Sequence, residues 1–400
     1  MKRTIRMAVL FALAALIFAG PMPLPAAAAA QTNQPSVLVV APYLQDLTET
    51  GVTIIWRSNR PSYGFVEYGE DASLGQKAES VRDGLKVANV EWHRVRVSNL
   101  KPGVRYHYRV IDRAIVSFGP YKTVFAPDAV SETSVFTTPS ASAEKVRCVI
   151  FNDLHNHVSI AKQLADAVPD RAWDLAFFNG DIFADVNREK DALPLINGYI
   201  DAVDGHSRPA VFVRGNHETR GAWAMCLHDA VANPGDSFYF AMTRGPVRFV
   251  MLDYGEDKPD DHPEYSGLND FSAFRAEEAE WLKSEVAGAA FLSARYRVLI
   301  HHIPLSDVTV PWRQLFRPIL ATAGFDIAIN GHTHVAERRA AGAGGMTFPV
   351  LIGGGAMATN ALVMRNALVM VLDADAARLR VQAIDVFGKV VLEQECLPKK

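Results

Sequence analysis

Five short strings between residues 152 and 334 gather side chains that bind cations and move protons. They are Asn152-Asp153-Leu154-His155, Asn179-Gly180-Asp181, Gly215-Asn216-His217-Glu218, His301-His302-Ile303-Pro304 and Asn330-Gly331-His332-Thr333-His334. Carboxylate, amide oxygen and imidazole suit Mn²⁺, Fe and Zn²⁺ better than ions that favour thiolates. The strings hold more histidines than one ion requires. A shared carboxylate is the device that holds two cations ~3.5–4 Å apart for in-line displacement at phosphorus. Imidazoles bind a metal only when neutral, so affinity should fall in acid. Within the third string, Asn216 offers a neutral oxygen and His217 a proton.

Each string follows a short apolar run: 146–151, 174–178, 210–213, 297–300 and 327–329. Such runs fit strands buried on both faces. Amphipathic stretches at 159–168 and 274–286 lie between them. This is an α/β pattern, and in such sheets ligands collect where strand ends meet loops. Five loops can therefore converge on one rim.

In that order the strings read D-x-H, G-D, G-N-H-E, H-x-P and G-H-x-H. The set resembles the calcineurin-like metallophosphoesterase superfamily over most of the chain after about Lys145. The resemblance implies a four-layer α/β/β/α sandwich. It implies that Asp153, His155, Asp181 and His334 bind one metal, and that Asp181, Asn216, His302 and His332 bind the other, with Asp181 bridging. The ions would be Mn, Fe or Zn. His217 would contact the phosphoryl group and help protonate the leaving oxygen, and a metal-bound hydroxide would attack. Aligning on H-x-P selects His302 over His301, because neighbours at a strand end point to opposite sides.

Two departures stand out. Purple acid phosphatases place a tyrosine three residues after the G-D aspartate, where this chain has Ala184. They also usually have glycine where His155 stands. A purple iron chromophore is therefore not expected. The first motif begins with Asn152, where the family more often has glycine.

Ahead of these motifs, residues 35–139 read as β structure. The runs 52–56, 93–97 and 106–110 are β-branched, aromatic or alternating. Leu100-Lys101-Pro102-Gly103-Val104-Arg105-Tyr106 resembles the tyrosine corner of fibronectin type III sandwiches. With this module in front, the layout resembles that of two-domain purple acid phosphatases. The expected organisation is a fibronectin type III-like all-β sandwich over 35–139, a short polar linker, and the α/β domain over 145–396. His93 and His107 lack a ligand partner, and surface positions are the plainer account of both. The module should pack beside the second domain or shape its cleft.

At the start, Lys2, Arg3 and Arg6 precede an apolar run from Met7 to Ala19, and Ala28-Ala29-Ala30 closes an A-x-A pattern. Residues 1–30 thus read as a secretory signal peptide. The run is shorter than the ~20 residues that span a bilayer. Export to the periplasm or medium is expected, with no membrane anchor after cleavage.

The net charge of −3 gives no electrostatic case for nucleic acid. Three cysteines, Cys148, Cys226 and Cys396, show no C-x-x-C spacing; they read as buried free thiols, with one disulfide as the alternative and no disulfide framework. Arg220 could hold a substrate oxygen, an ordinary surface arginine being the plain alternative. The acidic stretch 253–264 reads as a solvated insertion, with overhang of the cleft as the other reading. Gly353-Gly354-Gly355 reads as a tight turn near the site. Function is expected to be hydrolysis of small phosphorylated substrates, monoesters or diesters. The alternative is an inactive phosphatase-like binding protein, which intact ligands and His217 argue against.

Overall fold

A computed structural model describes residues 33–140, 142–306, 312–356 and 366–398. The signal-like segment 1–30 lies outside the described residues.

The amino-terminal part is all β. Its main strands are β1 (Leu38–Thr48), β2 (Gly51–Gly69), β3 (Ala88–Ser98), β4 (Arg105–Phe118) and β5 (Ser134–Thr137). β2 pairs with β1 and β3 through its first half, then with β4 from Ser62 to Gly69. One long strand thus serves two partner sets, with Val52, Ile54 and Trp56 fully buried. The bond expected of a tyrosine corner is present: the Lys101 amide donates to the Tyr106 hydroxyl at 3.0 Å.

His93 corrects the surface reading, for it is only 3% exposed. It stacks on Trp56 at 4.8 Å and lies 2.7 Å from Ser62 Oγ. Ser62 and Asp112 both meet His93 through Nε2, so this trio is not arranged as a nucleophilic triad. It is a buried polar knot that also takes in the Trp56 indole.

The remainder forms two six-stranded sheets. The first runs through β6 (Val146–Phe151), β7 (Leu175–Asn179) and β8 (Ala210–Val213), then β15 (Leu368–Ala374), β16 (Leu379–Asp385) and β17 (Val390–Cys396), in the order β8-β7-β6-β15-β16-β17. The second contains β9 (Phe240–Arg244), β10 (Val247–Leu252), β11 (Tyr296–His301), β12 (Ile327–Asn330), β13 (Glu337–Arg339) and β14 (Val350–Ile352), in the order β9-β10-β11-β12-β14-β13. β6, β7 and β8 are parallel, as are β10, β11, β12 and β14.

Alternation along β6 shows how the layers form. Val146, Cys148 and Ile150 face Phe249, Met251 and Val298 of the other sheet. Val149 and Phe151 face outward, against Ile160 and Leu164 of α1 (Val158–Ala167) and Ile196 of α2 (Glu189–Val203). On the far side, α3 (Phe271–Ala287) and α4 (Arg313–Ala323) lay Leu282, Phe316 and Leu320 on Val250 and Leu299. The architecture is the expected α/β/β/α sandwich.

The β sandwich is fused to this body. Val40, Tyr43 and Ile55 belong to the same buried cluster as α1 and α2. Arg57 grips Glu189 through Nε at 2.9 Å and Nη2 at 2.8 Å. The Asn197 side chain bonds to Val39 O and to the Ala41 amide, at 2.7 and 3.0 Å. No helix among the described residues is long and apolar enough to cross a membrane.

Candidate metal centre

All five motif loops leave the carboxyl ends of β6, β7, β8, β11 and β12 and meet at one place. Donor atoms of Asp153, His155, Asp181 and His334 lie within 4.8 Å of one another, and so do those of Asp181, His302 and His332. Asp181 belongs to both groups. Asn216 joins the second, with Oδ1 2.9 Å from His332 Nδ1. Asp153, Asp181, Asn216 and His302 are buried, while His155, His332 and His334 line the rim half-buried.

The backbone at these positions is unusual. Five of the residues have positive φ: Asp153 at 51°, His155 at 43°, Asp181 at 52°, His332 at 71° and His334 at 57°. That region is sterically unfavourable for residues with a Cβ, and it persists where surrounding structure enforces it. Two glycines explain the crowding. A Cβ on Gly180 would stand 2.5 Å from the His302 ring, and one on Gly331 would stand 2.6 Å from Asp153 Oδ2. A Cβ on Gly355 would stand 2.5 Å from Asp153 Cβ and 3.0 Å from the His334 ring, so the glycine turn is part of the wall.

Glu218 holds the floor. It is fully buried, and its Oε2 accepts from the Asp181 amide at 2.9 Å and the Gly215 amide at 2.8 Å. Its Oε1 accepts from the Phe183 amide at 3.1 Å. One side chain thus ties the second motif loop to the third. Burial, reinforced by Asp181, pushes its carboxyl up to about 7.

Opposite charges crowd around His302. His302 Nε2 lies 3.0 Å from Asp181 Oδ2 and 3.6 Å from Asp153 Oδ1, yet no hydrogen bond forms to it. Burial works to discharge this imidazole, but Asp181 and Asp153 outweigh it and hold its pKa up at about 10. In turn Asp181 is held well below the usual carboxylate range, burial being overcome by His302 and His217. Burial brings His155 down to about 4.

His301 stands apart from the cluster. It is buried, with Nδ1 2.8 Å from Ile303 O and 2.9 Å from the Asn330 amide nitrogen, and burial drives it down to about 3. His217 faces the cluster with one nitrogen. Its Nδ1 donates to Ala184 O at 2.6 Å, leaving Nε2 3.9 Å from Asp181 Oδ2. Its ring stands edge-on to His155 at 4.8 Å.

Two expectations change here. Arg220 has its guanidinium engaged by carboxylates of the acidic stretch. Nε and Nη2 are bound by Glu256 at 2.6 and 2.7 Å, and Nη1 is 3.4 Å from Glu264. Nor is the acidic stretch a solvated insertion. Asp253 and Glu256 are buried, with Asp253 paired to Arg214 at 2.7 Å and Glu256 also accepting from Tyr265 at 2.8 Å. The buried acids are paired within the fold, Asp261 and Glu264 stay exposed, and the loop reaches the second group of donors. Asp257 Oδ2 reaches within 3.8 Å of His332 Nε2, a neighbour that the sequence did not single out.

A second missed feature is an amide layer beneath the centre. Asn179 Nδ2 donates to Asn152 Oδ1 at 2.8 Å, and Asn330 Nδ2 donates to His301 O at 2.7 Å. The available signal was an asparagine opening three of the five motifs.

Residues 146–336 match the family model of the calcineurin-like phosphoesterases. The chain carries a calcineurin-like phosphoesterase domain. A purple acid phosphatase from yellow lupin (Lupinus luteus) seeds superposes with a TM-score of 0.60 at 16% identity, covering 91% of this chain and 74% of its own. PhoD superposes with a TM-score of 0.57 at 12% identity, covering 90% of this chain and 89% of its own. At these identities the likeness is one of fold. No curated protein matches the chain in sequence.

For the calcineurin-like domain the question is whether its donors fit two cations. The buried His302 Nε2, set between two carboxylates but not hydrogen-bonded to either, is the kind of group that an ion satisfies. The donor set is all oxygen and nitrogen, without thiolate, and one carboxylate is common to both groups. The residues fit.

Proposed function

We propose that the protein is an exported phosphoesterase that depends on two metal ions and hydrolyses small phosphate monoesters or diesters. The observation that supports this best is Asp181, shared by two donor groups at the strand ends of a calcineurin-like domain. In this reading Asp153, His155, Asp181 and His334 hold one ion, and Asp181, Asn216, His302 and His332 hold the other. Manganese, iron and zinc all suit the donors. When bound, the pair would polarise a phosphoryl oxygen and acidify a water. Ala184 brings no phenol to the centre, so no tyrosinate–iron colour is expected.

His217 is the acid in this reading. With Nδ1–H committed to Ala184 O, the nitrogen aimed at the substrate is Nε2. A proton there makes the ring cationic, 3.9 Å from Asp181 Oδ2. Nε2 then gives that proton to the oxygen of the departing alcohol as the P–O bond breaks.

The same proposal places a cleaved leader at residues 1–30, the β sandwich at 35–139 and the phosphoesterase domain at 145–396. Sequencing the amino terminus of exported protein should find a start near Gln31.

The deciding experiment is hydrolysis of p-nitrophenyl phosphate and bis(p-nitrophenyl) phosphate by protein supplied with Mn²⁺. Activity on either, abolished in Asp181→Asn, supports the reading. Protein with no bound ion by elemental analysis, and no activity under any divalent cation, would sink it.

A further inference from the structure

At the other end of the strands from the metal centre, a cleft of about 430 Å³ lies between the β sandwich and the phosphoesterase domain. Pro209 and Ala210, at the start of β8, line it, whereas Asn216 follows the far end of that strand. Thr48 and Ser140 form the wall on the sandwich side, and Phe240, Met242 and Arg244 of β9 form the other.

Arg244 is only 8% exposed. A guanidinium stays charged in proteins, and a buried charge is costly unless it is paired and hydrogen-bonded. Arg244 has neither arrangement in full. Nη2 donates to Leu47 O, but Nε is buried without a partner, and no described carboxylate lies within ion-pair distance. Asp46 and Glu49 share the cleft wall, but Asp46 is bound to Arg96 at 2.8 Å and Glu49 is exposed. Burial lowers the pKa of Arg244, and Asp174, Asp46 and Glu49 only partly oppose it.

We propose that this cleft binds a small organic carboxylate, whose charged end pairs with Arg244 and whose body lies against Phe240 and Met242. Asp174, Asp46 and Glu49 all act on Arg244, so one negative charge suits this cation better than a phosphate dianion. The planar donor fork of arginine also matches a carboxylate. The ligand would touch both halves of the molecule, so its binding would clamp the sandwich to the phosphoesterase domain.

Benzoate is a suitable probe, titrated calorimetrically into Mn²⁺-loaded full chain at constant ionic strength, with thermal unfolding alongside. Wild type should bind one equivalent saturably and unfold at a higher temperature with benzoate present. Arg244→Met should bind at least about tenfold more weakly, close to 1.4 kcal/mol. Because it removes an unpaired buried charge, it should unfold no lower than wild type without benzoate. Ser140→Trp, which obstructs the mouth from an exposed position, should weaken binding without touching the core. Asp181→Asn, altered at the metal centre, should bind benzoate as wild type does. The proposal is overturned by absence of saturable binding, by binding unchanged in both cleft variants, or by loss confined to Asp181→Asn.

Discussion

His302 Nε2 sits 3.0 Å from Asp181 Oδ2, two buried groups brought together from loops 121 positions apart along the chain. In metal-free protein this contact is an ion pair, because the carboxylates hold His302 up at about 10. A histidine raised on folding adds stability that is complete below its unfolded value and lost as pH climbs through the folded one. Metal-free protein should therefore lose stability between about pH 6.5 and about pH 10. Thermal unfolding in chelator across that window checks this, and His302→Gln should flatten the slope. Metal binding must expel the same proton, so calorimetry near pH 7 should record proton release in buffers of differing ionisation enthalpy.

Asn216 and His217 are adjacent yet should fail differently. Asn216→Ala removes an oxygen donor beside His332 and should lower metal content from two ions towards one. His217→Ala should keep both ions and lose roughly 10²–10⁴-fold in rate, the usual worth of a general acid. Elemental analysis set beside kcat separates the two, and equal metal loss in both variants would count against the assignment.

Glu218→Ala should unfold the site from below. Three backbone amides lose their acceptor. At about 1–3 kcal/mol for each buried unsatisfied group, the loss should be at least about 3 kcal/mol. Glu218→Gln keeps oxygen acceptance on one side and should cost less. Denaturant unfolding of metal-free protein distinguishes these variants without reference to activity.

Asp257 stands behind His332, on the opposite side of the ring from Asn216: Nδ1 is 2.9 Å from Asn216 Oδ1 and Nε2 is 3.8 Å from Asp257 Oδ2. A carboxylate there steadies the ring and raises its basicity towards a metal. Asp257→Asn should weaken the second metal site by about tenfold, the lower end for such partners. Mn²⁺ titration should show the shift, with activity restored at high metal. Unchanged affinity would make Asp257 a loop residue only.

Much of the centre was legible because its chemistry sits in contiguous strings after apolar runs. The order of Asp153, Asp181, Asn216, His302, His332 and His334 along the chain matches the order of loops at the rim. What stayed hidden depends on contacts across the fold. His93 looked like a wet strand residue because alternation cannot say which sheet face is covered, and β2 covers it. The stretch 253–264 looked solvated because charge content does not show that Arg214, Arg220 and Arg275 fold back to meet it. Strands β9, β10 and β13–β17 were not anticipated, since none leads into a motif. The antiparallel pairing of β15 with β6, as of Val371 with Val149, closes the first sheet from the far end of the chain.

The cluster shared by Val40, Tyr43 and Ile55 with α1 and α2 means that a boundary in sequence is not one in cohesion. Cutting the chain near residue 140 would strip an oily flank from the very helices that brace β6 and β7, and with them Asp153 and Asp181. The isolated carboxyl-terminal piece should clump when expressed alone and regain solubility when the sandwich is supplied in trans. The front module works as a permanent cover, and any attempt to miniaturise this protein has to replace what it shields.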